Sequence, residues 1–189
     1  MNNRIKIIGG TWRSRHITVV DEQGLRPTPV RVRETLFNWL QGDIVNSCCL
    51  DVFAGSGALG FEAASRGARS VLALENNPSA YRAINANAAT LNASQMTVLA
   101  QDALTYLATT PVQTPFDIVF LDPPFGQGLL VQAIALLEKQ HWLAPYAKIY
   151  METETTLNLD AHLPKNWHCL KNKVAGEVSY YLFENQTNE

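Results

Sequence analysis

The sequence predicts an α/β protein with a mainly parallel sheet, a C-terminal antiparallel hairpin, and an N-terminal β-hairpin followed by a helix. From Cys48 onward, short apolar runs alternate with stretches of helical periodicity, a pattern typical of βαβ units. The last two apolar runs are separated only by Ala175-Gly176, which is too short for a parallel crossover. At 189 residues the chain is expected to form one domain, with residues 1–44 as an N-terminal extension.

Two strands are predicted at the start of the chain, joined near a Gly9-Gly10 turn. Residues 5–12 supply the first strand and residues 13–20 the second, with basic and aromatic side chains interleaved along both. This pair should form a small hairpin outside the parallel sheet.

A helix is predicted next, with Thr28 as its N-cap and Pro29 as its first residue. Its apolar residues recur at helical spacing: Val32, Leu36 and Leu40. The same spacing predicts that Arg31 and Arg33 lie away from this apolar face.

Five strands and four helices are predicted in the remainder, before the terminal hairpin. The strands are Cys48 to Phe53, Ser70 to Glu75, Met96 to Gln101, Phe116 to Asp122 and Lys148 to Glu152. The helices are Leu59 to Arg66, Ser79 to Leu91, Leu104 to Ala108 and Gly128 to Gln140. The hairpin, Trp167 to Val174 and Glu177 to Glu184, should lie at the edge of the sheet.

Composition favours a soluble cytoplasmic protein that contacts no membrane. No apolar stretch approaches the roughly 20 residues needed to span a bilayer, and no signal-peptide core follows the N-terminus. The cysteines are odd in number and the histidines are scattered, so neither a disulfide framework nor a metal site is predicted.

The net charge of -2 hides a basic N-terminal segment. Residues 1–40 contain seven basic and three acidic residues, a local charge of +4, whereas the rest of the chain is acidic. A local positive field can attract a polyanion even when the whole protein is near neutral. A solvated basic surface without a partner is the alternative interpretation.

A glycine-rich turn between a strand and a helix predicts a ligand site. Gly55, Gly57 and Gly60 follow an apolar run, where glycines permit a sharp turn and close approach of a ligand to the helix N-terminus. Glu75 ends the next predicted strand, about 20 residues beyond the glycines, where a carboxylate can accept from both hydroxyls of a ribose.

Two further acids argue against a dinucleotide. Asp51 precedes the glycines, where it would repel a pyrophosphate and attract a cationic amino or sulfonium group. Asp102 closes the third predicted strand, where it can accept from an adenine amino group. Open α/β sheets bind ligands at the carboxyl ends of their strands, so these acids should lie together.

The Asp122-Pro-Pro-Phe125 sequence ends the fourth predicted strand of the sheet. Pro123 and Pro124 stiffen the backbone and leave carbonyl oxygens free to accept hydrogen bonds. A planar group bearing an NH₂ could donate to Asp122 and a carbonyl while it stacks on Phe125. The alternative is a strand end punctuated by prolines, followed by a core phenylalanine.

The order of these motifs and the terminal hairpin resemble a class I S-adenosylmethionine-dependent methyltransferase with a Rossmann-like sheet. Asp122-Pro-Pro-Phe125 resembles the (Asn/Asp)-Pro-Pro-(Tyr/Phe) signature of amino methyltransferases. Four further segments resemble the RsmD family: residues 4–13, 24–28, 31–40 and 173–176. That family consists of bacterial enzymes that methylate the exocyclic N2 of one guanine, at position 966, in 16S ribosomal RNA.

The resemblance implies S-adenosyl-L-methionine as cofactor and 16S rRNA, within the small ribosomal subunit or its assembly intermediate, as partner; a monomer is expected. The catalytic residues would be Asp122, Pro123, Pro124 and Phe125. The cofactor-binding residues would be Asp51, Phe53, Ala54, Gly55, Ser56, Gly57, Leu59, Glu75, Asn76, Asp102 and Ala103. Phosphate contacts are expected from Arg4, Arg13, Arg15, Arg31 and Arg33.

The pocket motif alone leaves alternatives open. Adenine or cytosine in DNA and a glutamine side chain in a protein also present a planar NH₂. A non-catalytic RNA-binding assembly factor with the same fold is an alternative from another functional class.

Overall fold

The computed structural model describes residues 4–20 and 28–186, which form two sheets and their surrounding helices. The strands are β1 (Arg4–Lys6), β2 (His16–Thr18), β3 (Cys48–Asp51), β4 (Ser70–Leu74), β5 (Met96–Leu99), β6 (Phe116–Leu121), β7 (Leu143–Glu154), β8 (Trp167–Ala175) and β9 (Val178–Asn185). The helices are α1 (Val30–Trp39), α2 (Ala58–Ser65), α3 (Pro78–Leu91), α4 (Ala103–Thr109), α5 (Leu129–Lys139) and a short 3₁₀ turn (Leu159–His162).

The main sheet has the strand order β5-β4-β3-β6-β7-β9-β8. Strands β3 to β7 run parallel, and β9 lies antiparallel between β7 and the edge strand β8. The predicted mainly parallel sheet with a hairpin at its edge is therefore confirmed. The two-residue loop of that hairpin is Gly176-Glu177 rather than Ala175-Gly176, because Gly176 takes the turn position with φ of +64°.

The sheet separates two apolar layers. One layer contains the β1-β2 hairpin, α1, α2 and α3, and the other contains α4, α5 and the 3₁₀ turn. Side chains of β6 alternate between them: Ile118 and Phe120 face the first layer, and Val119 and Leu121 face the second. Because of this alternation, the side chains that follow the strands at their carboxyl ends can be assigned to one face of the sheet or the other.

Glu62 on α2 attaches the N-terminal hairpin to the domain. Its buried carboxylate accepts hydrogen bonds from the backbone N–H groups of Ile8 (2.9 Å) and Gly9 (2.8 Å) and from Arg66 Nε (2.7 Å). Arg33 on α1 lies 3.8 Å from the same carboxylate. A single buried anion therefore joins the β1-β2 connection, α1 and α2.

Gly10 lets the connection approach the end of α2. With φ of +75°, it lies so close that an added Cβ would be 1.8 Å from the carbonyl oxygen of Ser65. Thr11 N–H donates to that carbonyl at 2.7 Å, and Trp12 N–H donates to Ser65 Oγ at 2.9 Å. The predicted Gly-Gly turn is thus also a docking point.

Two predictions about α1 are wrong. Pro29 is the N-cap rather than the first helical residue, and Thr28 does not cap the helix, because its hydroxyl donates to Asp122 Oδ2 at 3.0 Å. Arg33 does not face solvent: the residue is 1% exposed, and its guanidinium donates to the carbonyl of Lys6 at 3.1 Å. Its guanidinium compensates the buried charge of Glu62.

Residues 24–27, which belong to one of the segments that resemble the RsmD family, lie outside the described residues. Among the residues that the structure does describe, no helix is both long and apolar enough to cross a bilayer.

Candidate active site

A cavity of about 1100 Å³ lies at the carboxyl ends of the parallel strands. Its walls also include Thr28 and Pro29 before α1 and the tip of the β8-β9 hairpin. The predicted cofactor and catalytic residues that line it are Asp51, Phe53, Ala54, Gly55, Ser56, Leu59, Glu75, Asn76, Asp102, Ala103, Asp122, Pro123, Pro124 and Phe125. Gly57, the other predicted cofactor residue, does not line the cavity; it is the N-cap of α2, with φ of +77°.

Glu75 and the glycine turn hold each other in place. One carboxylate oxygen of Glu75 accepts from Gly55 N–H at 2.7 Å, and the other accepts from Asn77 N–H at 2.7 Å. A carboxylate oxygen has a second lone pair, so both oxygens can also accept from a ligand hydroxyl. Because the carboxylate is fixed by two backbone groups, it is suited to bind a ribose in a single orientation.

Asp51 is a buried carboxylate that lines the cavity. Its side chain is 2% exposed, and Oδ2 accepts from Gly60 N–H at 3.2 Å. Burial and, to a smaller extent, the charge of Glu75 raise the pKa of Asp51 to about 7, although the Gly60 hydrogen bond opposes the rise. A buried anion without a cationic partner is costly, so this position favours a positively charged ligand group.

Asp102 caps α4 as well as lining the cavity. Its Oδ1 accepts from both the N–H and the hydroxyl of Thr105, each at 2.8 Å. It lies beyond the end of β5 rather than within a strand, because the strand ends at Leu99. The cap fixes the carboxylate at the rim of the cavity.

Asp122 and Glu152 form a pair of carboxylates that sequence reasoning identified only in part. Leu121 pairs with Met151 in the register of β6 and β7, so the next residues on the two strands are neighbours. By alternation, both side chains emerge on the same face as Phe120 and Tyr150. Glu152 ends the fifth predicted strand, so the rule that selected the other strand-end acids also applied to it.

Hydrogen bonds tie this pair to its surroundings. The Thr28 hydroxyl donates to Asp122 Oδ2 at 3.0 Å, and the Tyr150 hydroxyl donates to Glu152 Oε1 at 2.7 Å. Burial and the charge of Glu152 raise the pKa of Asp122 well above its ordinary value. Burial also raises the pKa of Glu152, while hydrogen bonding from Tyr150 and Thr28 opposes the rise. The pair therefore retains a proton at a higher pH than isolated carboxyl groups do.

Phe125 belongs to the cavity and not to the core. The residue is 40% exposed, so the interpretation as a core phenylalanine is wrong. The loop that carries it turns at Gly126, where φ is +74°, and Gly126 N–H donates to Glu154 Oε1 at 2.6 Å. A second strand-end glutamate thus holds the loop that presents the ring.

The predicted phosphate-binding arginines fall into three groups. Arg4 and Arg31 are exposed close to the cavity: Arg4 pairs with Thr18, which precedes the wall residue Val19, and Arg31 is the second residue of α1, two positions after the wall residue Pro29. Arg13 and Arg15 are exposed in the β1-β2 connection, where Arg15 donates to Thr90 O at 3.1 Å near the C-terminal end of α3. Thr90 lies 13 residues, or about 20 Å, along α3 from the N-cap Asn77, which lines the cavity. Arg33 is the buried residue described above.

The sheet order with its antiparallel β9, together with a ligand cavity at the glycine turn, defines a class I methyltransferase fold. A solved structure of the Escherichia coli protein yhhF superposes with a TM-score of 0.89 at 46% identity, covering 98% of this chain and 100% of that one. The predicted fold class is confirmed.

The chain belongs to the family described as "Conserved hypothetical protein 95", which matches residues 5–184 and corresponds to the RsmD family that the sequence resembles. The Escherichia coli (strain K12) protein named "Ribosomal RNA small subunit methyltransferase D" is 48% identical over 185 residues, which are 98% of this chain and 92% of that protein. The protein of the same name from Haemophilus influenzae is 49% identical over 183 residues, or 96% and 94% of the two chains.

Proposed function

We propose that this protein transfers a methyl group from S-adenosyl-L-methionine to the exocyclic N2 of one guanine of 16S rRNA, at position 966 as the resemblance implies. The substrate is the RNA within the small ribosomal subunit or its assembly intermediate. The observation that carries the proposal is the Asp122 carboxylate beside the exposed Phe125 ring, in the same cavity as Asp51 and Glu75. The two relatives named as small-subunit RNA methyltransferases support the choice of RNA.

The cavity residues fit S-adenosylmethionine. Asp51 supplies a buried anion for a cationic group, Glu75 supplies two fixed acceptors for a ribose, and Asp102 supplies a rim acceptor for an adenine amine. The volume of about 1100 Å³ leaves room for a flipped base beside the cofactor. When bound, the cofactor supplies an electrophilic methyl group.

Cofactor binding is expected to weaken as the pH falls through 7. A cation on the cofactor favours ionised Asp51, whose pKa is about 7. Affinity should therefore be full above that value and lost below it, with a dissociation constant roughly fivefold to tenfold higher at pH 6 than at pH 7.5. Calorimetric titration at the two pH values measures this change. Asp51→Asn should bind weakly at both and lose the dependence; a wild-type affinity that does not change with pH would contradict the assignment.

The catalytic residues would position the target amino group by accepting hydrogen bonds from it. Asp122 and the carbonyl of Pro123 would each accept one N–H of the target amino group, which makes its nitrogen more nucleophilic and directs its lone pair at the methyl group. Phe125 would fix the plane of the base by stacking. The new N–C bond would form as the sulfur–methyl bond breaks, so that the demethylated thioether is the leaving group. One amino proton would then pass to solvent through the open cavity.

The exposed arginines would contact phosphates from two parts of the N-terminal segment. Arg4 and Arg31 lie next to wall residues of the cavity, whereas Arg13 and Arg15 lie in the β1-β2 connection, where Arg15 donates to Thr90 O. An interface formed by both parts extends beyond the target base, which suits a folded RNA on a ribosomal particle. Arg33 is not part of this interface, because its guanidinium is buried against Glu62.

Replacing these exposed arginines is expected to flatten the salt dependence of RNA binding. Each lost phosphate contact should reduce the slope of log K against log salt by about 0.7 to 0.9. Arg13→Ala with Arg15→Ala should weaken binding without changing kcat, whereas Arg31→Ala should also lower kcat if it positions the target loop. Binding to small subunits between 50 and 200 mM salt, a range over which phosphate contacts have a large effect, measures the slopes. Unchanged slopes would refute the phosphate role.

Transfer of a labelled methyl group tests the proposed reaction. Small subunits from cells that lack the gene are incubated with the protein and methyl-labelled S-adenosylmethionine, and the RNA is digested to nucleosides. The label is expected in N2-methylguanosine. Label in methylated adenosine or cytidine would change the target base, and the absence of label in RNA would favour a non-catalytic assembly factor.

A further inference from the structure

The amino group at C2 of guanine lies beside a second donor, the N–H of ring nitrogen N1. Asp122 and the Pro123 carbonyl account for the two hydrogens of the amino group, so N1–H needs a third acceptor on the same edge. We propose that Glu152 accepts the hydrogen bond from N1–H and thereby selects guanine over bases whose N1 is an acceptor. This inference rests on the proposed function, since it concerns the same target base.

The register of the sheet places Glu152 where this acceptor is needed. Glu152 and Asp122 follow the paired residues Met151 and Leu121, on strands about 4.8 Å apart, and their side chains emerge on the same face. Both residues line the cavity. Two adjacent, parallel donors on a base edge thus meet two adjacent carboxylates.

The surroundings of Glu152 fix its orientation. Its side chain is 5% exposed, and Tyr150 donates to Oε1 at 2.7 Å. The second oxygen, Oε2, can accept from the base while Oε1 keeps the tyrosine bond. Donors from the base edge would also replace the proton that the two raised pKa values keep on the pair.

Burial makes the expected selectivity strong. A base with a bare N1 would bring a lone pair against a buried carboxylate and leave that carboxylate without its hydrogen bond. Sites built to bind a substrate N–H reject analogues that lack it far more strongly than apolar pockets reject size differences. Adenine, with an acceptor at N1, would be disfavoured in the same way.

The test compares guanine with 2-aminopurine at the target position. This analogue keeps the amino group at C2, but its N1 is an acceptor. Small subunits reconstituted with either base are methylated by the wild-type protein and by Glu152→Gln, and kcat/KM is measured for each. The wild type should prefer guanine by at least about tenfold. In E152Q this preference should shrink about tenfold, because the carboxamide can donate to a bare N1.

Controls separate recognition from general damage. E152Q should bind S-adenosylmethionine as the wild type does, and Asp160→Asn, at an exposed acid outside the cavity wall, should keep the wild-type preference. An equal loss of kcat/KM on both bases in E152Q would overturn the proposal and assign Glu152 a purely structural role.

If E152Q does not fold, the rates of the wild-type protein on guanine and 2-aminopurine still test the proposed N1 contact. Equal rates on guanine and 2-aminopurine would overturn the proposed contact and leave guanine methylation intact. A wild-type protein that places no methyl group on guanine N2 would instead refute the proposed function, and the N1 contact with it.

Discussion

Asp122→Asn is expected to lower kcat for methyl transfer by about 10²–10³-fold, while S-adenosylmethionine still binds. In the proposed reaction the carboxylate is the acceptor that orients the amino group, and an amide presents one acceptor and one donor in its place. Its Thr28 partner can still donate to the amide oxygen, so the local fold should persist. Single-turnover transfer to small subunits measures the rate of the chemical step without interference from product release.

The test is specific for the chemical step because kcat should fall while the affinity for S-adenosylmethionine stays the same. Asp160→Asn, the same chemical change at an exposed position outside the cavity wall, should leave the rate unchanged. If Asp122→Asn retained near-normal turnover with intact cofactor binding, the reaction would not depend on this carboxylate and the assignment of the site would fail.

Glu62→Ala is expected to lower the free energy of unfolding by about 3–5 kcal/mol. The substitution removes the acceptor for the Ile8 and Gly9 N–H groups and leaves the Arg33 guanidinium buried without its anion. Removing one member of a buried charge pair costs more than the pair itself contributes, since the remaining charge is uncompensated. Urea denaturation followed by circular dichroism measures the loss.

A double-mutant cycle shows whether the buried pair is the cause. Arg33→Ala with Glu62→Ala should cost less than the sum of the two single changes, because the double variant buries no unpaired charge. Glu34→Ala, an exposed neighbour on α1, should change stability by less than about 0.5 kcal/mol. Additive costs in the cycle would show that the two residues contribute independently.

The arrangement of the parallel sheet explains why much of the site was predictable. Alternating strands and helices place the carboxyl ends of the strands at one edge, so Asp51, Glu75 and Asp122 were expected to meet there, and they line one cavity. Asp102 also lines it, although it caps α4 instead of ending a strand. Glu152 ends the fifth predicted strand, so the same rule applied to it, but it was not predicted as a site residue. Its pairing with Asp122 follows from the sheet register.

The errors concern residues whose partners are distant in sequence. Thr28 has the chemistry of a helix cap, yet its hydroxyl binds Asp122, 94 residues away. Arg33 lies at a position that helical spacing assigned to solvent, but Glu62 on another helix provides a buried anion. Local periodicity describes which face of a helix is apolar, and it contains no information about a charge brought there by tertiary packing.

The split among the arginines has the same origin. The sequence groups Arg4, Arg13, Arg15 and Arg31 in one basic segment, whereas docking of the hairpin along α2 and α3 separates them. Under the proposed function, the two next to the cavity are the ones expected to affect how the target base is presented. The charge count therefore predicted a basic, RNA-binding segment, but it did not predict that the arginines of this segment would be separated in the fold.

The central claim is that one guanine of 16S rRNA receives its N2 methyl group from this protein, and mass mapping of that RNA tests it most directly. RNA from cells that lack the gene should differ from wild-type RNA by one methyl group on one guanine, which the intact gene restores and the Asp122→Asn gene does not. Complete methylation in the absence of the gene, or loss of a methyl group from a different base, would contradict the claim.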